Sequence, residues 1–296
     1  VITDYNLPAR YYYSVWMRHL VMAHKNGLRV LPDSVAELGP GQSVGIGIAA
    51  LLSGASSYYA LDIVEFASDD NNIKIFHELL DLFKNRADIP DNNEFKSVEP
   101  YLESYEFPDD ILRKDHLEIS LNGARIEAIE NAVKNIGRDS DSKIEISYMA
   151  PWDDRRIIKA GTVDLLISQA VLEHVDDLSG AYQSMYRWLK PGGFISHSID
   201  FRSHGVADDW NGYWTYSDWV WKIIRGRRPY LINRQPYSAH LDLLEKTGFK
   251  LLCDIPIYRK SKIKRKNLAG EFQNLSEKDL NTRTTFIQAV KENEKL

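Results

Sequence analysis

The sequence contains little cysteine and no long apolar run. Cys253 is the only cysteine among 296 residues, so an internal disulfide is excluded and a zinc–thiolate site cannot form from this chain alone. No stretch approaches the roughly 18 apolar residues of a membrane-spanning helix. The first thirty residues mix cations with aromatics, unlike a signal peptide, and we find no internal repeat. These absences predict a globular protein of the reducing cytoplasm.

Positive charge is concentrated late in a chain that is acidic overall. Residues 221–266 contain 13 Lys and Arg against three acidic residues, a net charge of +10, whereas the whole chain carries −5. Six of these cations lie within residues 259–266. This asymmetry fits an anionic partner, such as a polyanionic substrate or a peripheral contact with an anionic membrane surface, and it fits a solvated hairpin equally well. The negative total charge argues against nucleic acid as the partner.

Strand and helix patterns alternate along the chain. Apolar runs predict strands over 34–38, 58–61, 144–148, 163–167, 194–199, 249–257 and 284–290. Three- and four-residue apolar spacings predict helices over 9–25, 44–53, 72–85, 124–136, 178–189 and 239–247. Strand, glycine turn, helix and strand within about thirty residues form a βαβ unit with parallel strands. The sequence therefore predicts an α/β fold.

The chain is predicted to form a single domain over 1–296, with an N-terminal helical segment over 1–30. The alternation stops over 69–123, which we interpret as an insertion because compact α/β connections rarely need this length. Within it, 117–121 is predicted to be a short strand. A cap segment is predicted over 201–236, where aromatic residues are dense.

A glycine turn follows the first predicted strand. Gly39 and Gly41 let the backbone approach a ligand closely, and Asp62 ends the second strand, where it can accept hydrogen bonds from ribose hydroxyls. Dinucleotide sites share this arrangement, but they carry a third glycine where Val44 stands. Pro40 removes an N–H donor, and Glu37 would repel a pyrophosphate while suiting a cationic amino-acid end. The turn therefore favours an amino-acid-bearing nucleoside over a dinucleotide.

In this context the chain resembles the class I S-adenosylmethionine-dependent methyltransferases. The resemblance rests on four segments in order, namely Val35–Gly41, Asp62, Val163–Val175 and Trp188–Gly193. It implies a Rossmann-like, mostly parallel seven-stranded sheet with helices on both faces, and S-adenosyl-L-methionine as cofactor. It also implies these cofactor-binding residues: Glu37, Gly39, Pro40 and Gly41 at the methionine part, Asp62 at the ribose, Ile63, Met149, Ala150 and Trp152 at the adenine, and Ser168 and Gln169 beside the sulfonium. Trp152 also fits a plug at the edge of the sheet.

Methyl transfer to a hydroxyl requires a base just beyond the carboxyl ends of the central strands. His197 is our favoured general base, with Asp200 as its orienting carboxylate and His204 as a second candidate. Two imidazoles and a carboxylate can also hold a metal ion, but this irregular spacing does not demand one, and we predict none. In the resembled family the Glu-His pair at 173–174 accompanies many acceptors, so we interpret it mainly as packing and capping.

The cap segment supplies the predicted acceptor contacts. Six aromatic residues fall within 210–221, and such rings suit either the stacking of a sugar or the core of a small cap. Asn233 and Arg234 follow, and an arginine suits a carboxylate or phosphate. These features are similar, more weakly, to methyltransferases of bacterial surface-glycan and secondary-metabolite pathways. We therefore expect an acceptor that is a small molecule or glycan, with an anionic group, and the predicted substrate-binding residues are His174, Trp214, Asn233 and Arg234.

Two other functions compete with this interpretation. The first is an NAD(P)-dependent oxidoreductase or sugar epimerase, against which Val44 and the absence of a Tyr-x-x-x-Lys pair after the fourth strand both argue. The second is a non-catalytic scaffold that binds the same cofactor. The Asn/Asp-Pro-Pro-aromatic signature of nucleic-acid amino-methylating enzymes is replaced by Ser168–Val171, which again argues against nucleic acid.

Overall fold

A seven-stranded sheet forms the centre of the protein. The computed structural model describes residues 7–64, 69–137, 143–152, 154–228 and 231–292. The strands are β1 (Ser34–Leu38), β2 (Ser57–Leu61), β3 (Glu145–Met149), β4 (Val163–Gln169), β5 (Leu189–Asp200), β6 (Phe249–Tyr258) and β7 (Thr282–Lys291). The helices are α1 (Ala9–Lys25), α2 (Gly45–Leu52), α3 (Asp69–Lys84), α4 (Lys114–Ser120), α5 (Gly123–Lys134), α6 (Leu178–Trp188), α7 (Asp218–Arg225), α8 (Tyr237–Thr247) and α9 (Glu277–Asn281).

The strand order is β3-β2-β1-β4-β5-β7-β6. Strands β1 to β5 pair in parallel, and β7 runs antiparallel to both β5 and β6. The order reverses between β1 and β4, so the connections leave these strands on opposite sides and open a crevice at their carboxyl ends, where open α/β sheets bind ligands. The predicted Rossmann-like, mostly parallel seven-stranded fold is confirmed.

Helices cover both faces of the sheet. On one face α1, α2, α3 and α5 bury a core that includes Trp16, Tyr58 and Phe76. On the other face α6 and α8 bury a second core around Trp188, Leu166 and Ile287. Because the central strands are covered on both sides, their sequences are apolar on both faces. Helix α3, which begins the predicted insertion over 69–123, contributes to the first core.

One predicted element is wrong. Residues 117–121 were expected to form a strand because apolar side chains alternate there, but residues 114–120 form helix α4. Leu117 and Ser120 are buried three positions apart, whereas Ile119 is 70% exposed. The buried side chains thus follow a helical spacing, and the alternation of Leu117, Ile119 and Leu121 is incidental.

The predicted cap has a small core of its own. Its buried members are Tyr213, Trp214, Trp221, Ile232, Leu268 and Leu280. Two of these residues, Leu268 and Leu280, lie beyond the predicted boundary at 236, and residues 229–230 inside that boundary lie outside the described part of the chain, as do residues 1–6 of the N-terminal segment. Among the described residues, no helix has both the length and the apolar character to cross a membrane.

Candidate functional site

The glycine turn lies at the carboxyl end of β1. Gly39 and Gly41 both have φ of +66°, a left-handed conformation that glycine adopts without strain. A Cβ on Gly39 would lie 2.6 Å from Val171 in the loop after β4, whereas a Cβ on Gly41 would meet no atom within 4 Å. Pro40 is buried between them. Gly39 therefore permits close packing against that loop, and Gly41 faces open space that a ligand can fill.

Asp62 borders this open space. Its carboxylate accepts hydrogen bonds from the backbone N–H groups of Gly41 at 3.1 Å and Ile63 at 2.7 Å, and burial raises its pKa. The backbone of Val64 and the hydroxyl of Tyr148 also act on this carboxylate, so ribose hydroxyls would share it with these donors, and that contact stays a prediction. The Ile63 side chain is 41% exposed beside it and offers apolar surface to an aromatic base. The open space at Gly41, together with these two side chains, fits a nucleoside.

The segment after β3 adjoins the same carboxylate. The carbonyl of Met149 accepts a hydrogen bond from the backbone N–H of Asp62 at 3.0 Å. Ala150 is exposed, and Trp152 packs edge to face on Trp188 with ring centroids 6.3 Å apart. Met149 and Ala150 are thus next to the predicted ribose position, where contact with the adenine stays a prediction. The packing of Trp152 agrees with its alternative role as a plug at the sheet edge.

Glu37 is enclosed in the layer between the sheet and α2. The hydroxyl of Tyr58 on β2 donates a hydrogen bond to its carboxylate, and burial raises the pKa of Glu37 to about 8. Gly47 of α2 leaves the room that the Tyr58 ring needs. Glu37 is only 3% exposed, so its predicted contact with the methionine part stays a prediction.

The position of His197 contradicts the prediction that this residue is the general base. Its ring is fully buried under α6, and Nδ1 lies 2.8 Å from the hydroxyl of Ser168. Nε2 is buried with no hydrogen-bond partner among the described residues, and burial lowers the pKa of His197 to about 3. A neutral, enclosed imidazole cannot reach an acceptor. The Ser168 side chain is buried against the same imidazole, and its contact with the sulfonium stays a prediction.

Gln169 points to the opposite face of β4. Its side-chain oxygen lies 3.3 Å from Nε2 of His19 on α1, and the other nitrogen of His19 lies 2.7 Å from the hydroxyl of Ser196. Gln288 also donates to Ser196 at 2.8 Å. This polar cluster packs α1 onto the sheet, and contact of Gln169 with the sulfonium stays a prediction.

Asp200 does not orient His197, because residues three apart on a strand point to opposite faces. Its carboxylate, 5% exposed, accepts hydrogen bonds from the backbone and the guanidinium of Arg202. One of its oxygens lies 3.7 Å from Nε2 of His204, whose side chain is 36% exposed. Asp200 therefore supports the second candidate, His204, and not the first.

The loop after β4 brings a second imidazole to His204. A 3₁₀ turn over Leu172–His174 follows the contact between Val171 and Gly39. The rings of His174 and His204 have centroids 5.2 Å apart. His174 thus lies beside the candidate base, and its contact with the acceptor stays a prediction.

Asn233 joins the cap to this loop. Its side-chain amide donates to the carbonyls of Leu172 and Val175, both at 2.8 Å, and its backbone N–H donates to the carbonyl of Glu173 at 2.6 Å. Both side-chain N–H donors are therefore engaged by the protein itself. This position corrects the expectation that the Asn233 amide binds substrate and supports the anchoring role.

Trp214 and Arg234 are internal to the cap, which corrects their predicted role in binding substrate. Trp214 is fully buried, and its indole N–H donates to the carbonyl of Arg234 at 3.0 Å. The Arg234 guanidinium pairs with Asp218 and lies 4.9 Å from the ring centroid of Trp221. The polar groups of both side chains already interact within the cap, so neither is available to bind an acceptor.

Two contributors were missed by sequence reasoning. Val171 shapes the turn through Gly39, and Asn72 of α3 accepts hydrogen bonds from the backbone of Val44 and the hydroxyl of Ser43 at the start of α2. Asn72 is fully buried and lies 28 residues from Val44. Such long-range partners carry no local signal that a pattern could reveal.

Comparison with known proteins gives a family match. Residues 126–196, from α5 into β5, match a model described as a methyltransferase domain. No curated protein matches the sequence. The fold is similar to solved structures of an S-adenosylmethionine-dependent methyltransferase from Methanosarcina mazei (13% identity, TM-score 0.46, 92% of this chain and 98% of that one) and a putative methyltransferase from Bacillus halodurans (12%, 0.45, 93% and 99%).

A third similar structure is the complex of the Haloferax volcanii Trm112 methyltransferase activator with a putative methyltransferase (13% identity, TM-score 0.42, 93% of this chain and 90% of that one). At these identities and scores the three likenesses support no inference about function. The family match covers the β4 segment and the turn between α6 and β5 that the resemblance singled out, and it favours the methyltransferase interpretation over the oxidoreductase. Residues 126–196 of this chain therefore match a methyltransferase domain, and they lie within the seven-stranded α/β fold described above.

Proposed function

We propose that the chain transfers the methyl group of S-adenosylmethionine to a hydroxyl oxygen of a small-molecule or glycan acceptor, with His204 as the general base. The observation that carries this proposal is the pairing of His204, an accessible imidazole, with the buried carboxylate of Asp200 beyond the ends of β4 and β5. His197, the other candidate, is sealed inside the core. Imidazole is the commonest general base near neutral pH.

The cofactor would supply a methyl group bound to a sulfonium. An oxygen nucleophile attacks the methyl carbon in line with the carbon–sulfur bond, which breaks and leaves the sulfur as a neutral thioether. The turn at Gly39–Gly41 and the carboxylate of Asp62 would hold the cofactor, with Ile63 against its adenine. His204 takes the hydroxyl proton while the carbon–oxygen bond forms. The product is therefore a neutral ether, and the His204 side chain ends the step as an imidazolium.

Asp200 has two effects on this base. Since the nearer ring nitrogen is Nε2, at 3.7 Å, the carboxylate favours the tautomer with the proton on Nε2 and leaves the lone pair on Nδ1. It also stabilises the imidazolium that forms, while Arg202, hydrogen-bonded to the same carboxylate, holds Asp200 in place.

An anionic acceptor or membrane contact is a separate part of the proposal. Arg234 is engaged within the cap, so it does not support recognition of an anion. The basic run over 259–266 does, because its cations are exposed, although Arg265 is paired with Glu277. A small anionic acceptor or an anionic lipid surface close to this run agrees with that charge.

Substitution of His204 tests the proposal. His204→Gly should lower kcat by about 10² to 10⁴-fold, the usual contribution of a general base, and leave calorimetric affinity for S-adenosylmethionine unchanged. Glycine suits the positive φ of +47° at this position, so the fold should persist. Free imidazole added to the variant should restore part of the rate, which a purely structural role would not allow.

A second pair of variants, His204→Gln and His77→Gln, provides a matched control. Glutamine is used because a glycine at position 77 would weaken α3. His77 is an exposed residue of α3, and its Nε2 lies 3.8 Å from the carboxylate of Glu130. We expect His77→Gln to retain full turnover. Unchanged turnover in both His204 variants would overturn the proposed base, and full turnover with loss only of acceptor affinity would assign His204 to binding.

A further inference from the structure

Three metal-binding side chains converge beyond the ends of β4 and β5. Glu173 and His174 come from the 3₁₀ turn after β4, and His204 comes from the loop after β5. Each offers one ligand atom, and these atoms all lie within 4.8 Å of one another. Ligand atoms around a zinc-like ion are about 3 to 3.5 Å apart, given bonds of about 2.1 Å, so small side-chain rotations would close the remaining gap.

The buried carboxylate of Glu173 is the feature of this cluster that points to a bound cation. Its side chain is 3% exposed, and neither carboxylate oxygen has a hydrogen-bond partner among the described residues. Burying a carboxylate without a partner is costly. The guanidinium of Arg202 is hydrogen-bonded to Asp200, and Glu173 forms no direct ion pair among the described residues.

We propose that Glu173, His174 and His204 bind a divalent transition-metal ion of the zinc type. Two imidazoles and one carboxylate suit such ions, and three protein ligands leave an open position for water or substrate. The carboxylate of Asp200, 3.7 Å from His204, provides the outer partner that ligating histidines commonly have. This proposal replaces the expectation of no metal, which treated Glu173 as packing and combined His204 with His197 and Asp200.

The ion site regulates the reaction proposed above, and in this respect it rests on that proposal. An imidazole that coordinates an ion through its lone pair cannot take the proton of a hydroxyl at the same time. Metal binding should therefore slow methyl transfer, and a chelator should restore it. The ion binds the cofactor-free chain as well, because none of its three ligands belongs to the cofactor side of the crevice.

Binding of Zn²⁺ and Co²⁺ to the chelator-treated full chain tests the site without cofactor or acceptor. Calorimetry should show one equivalent of Zn²⁺, and Co²⁺ should produce the visible absorption of a site with nitrogen and oxygen ligands. Glu173→Gln and His204→Gln should each weaken Zn²⁺ binding at least tenfold. His77→Gln is the matched control, since it removes an exposed histidine that also faces a glutamate and should leave binding unchanged.

The outcomes separate the two proposals. No stoichiometric binding, or equal binding by His204→Gln and the parent chain, overturns the metal site and leaves the general base untouched. Stoichiometric binding that accelerates methyl transfer leaves the site standing and overturns the imidazole base. Should Glu173→Gln fail to fold, as judged by circular dichroism, the partly exposed His204→Gln variant alone decides the result.

Discussion

On the cofactor side of the crevice, Gly39, Gly41 and Asp62 follow two neighbouring strands of a single βαβ unit, whereas on the acceptor side His174 and His204 come from separate loops and face each other only because β4 and β5 pair. The first side is made mainly of backbone geometry, and the second of side chains. A backbone site leaves a local pattern in the sequence, while a side-chain site depends on which face each residue takes.

The largest expected effect tests whether the backbone conformation defines the cofactor side. Gly39→Ala puts a methyl group 2.6 Å from Val171 at φ of +66°. Together, left-handed strain and overpacking should lower the free energy of unfolding by about 2 to 4 kcal/mol and abolish calorimetric binding of S-adenosylmethionine. Gly41→Ala is the matched control for strain. It has the same φ and open space around the new methyl, so it should lose only about 1 to 2 kcal/mol. Equal losses in the two variants would contradict the role of Val171.

A smaller effect tests the acceptor side through Asn233. Asn233→Asp keeps the shape but removes both donors to the carbonyls of Leu172 and Val175. Urea unfolding should show a loss of about 1 to 3 kcal/mol, because two carbonyls lose partners and a carboxylate faces them. Turnover should fall further than cofactor affinity does, because the loop contacts the cofactor turn through Val171. Asn131→Asp, at an exposed position of α5, is the control. An equal loss of cofactor affinity would show that the two sides are not separable.

The smallest effect concerns pH. The pKa of Glu37 is raised from 4.5 to about 8 in the folded protein, so the folded state holds a proton that the unfolded state releases. The stability from this group is present below pH 4.5 and is lost as the pH rises through 8. Between pH 7 and 8 the loss should be about 1 kcal/mol. Glu37→Gln keeps an acceptor for Tyr58 and should flatten that interval in urea titrations, and an unchanged slope would contradict the buried neutral carboxyl.

Sequence patterns predicted most of the fold because several strands are short apolar runs followed by a glycine or an acidic residue, as at Gly39 and Asp62. The strand expected over 117–121 failed because alternation over five residues also fits one helical face, and only the packing of Leu117 decides between them. The cofactor turn could be recognised because its geometry requires particular residues, Gly39 and Gly41, at fixed distances from β1.

The acceptor side could not be predicted in the same way. β5 is buried on both faces, so its polar residues Ser196, His197 and Ser198 do not reveal which of them face a crevice. His197 falls on the α6 side, and Asp200 on the other. Glu173 gave no signal of its own, because an unpartnered buried carboxylate becomes evident only once its surroundings are known.

Because Val171 contacts Gly39, the short loop after β4 borders both the cofactor side and the acceptor side of the crevice. A larger side chain on either partner would push the loop outward, carrying Glu173 and His174 with it. The side chains at positions 39 and 171 are therefore constrained as a pair. Moving this loop to admit a bulkier acceptor would also weaken binding of the methyl donor.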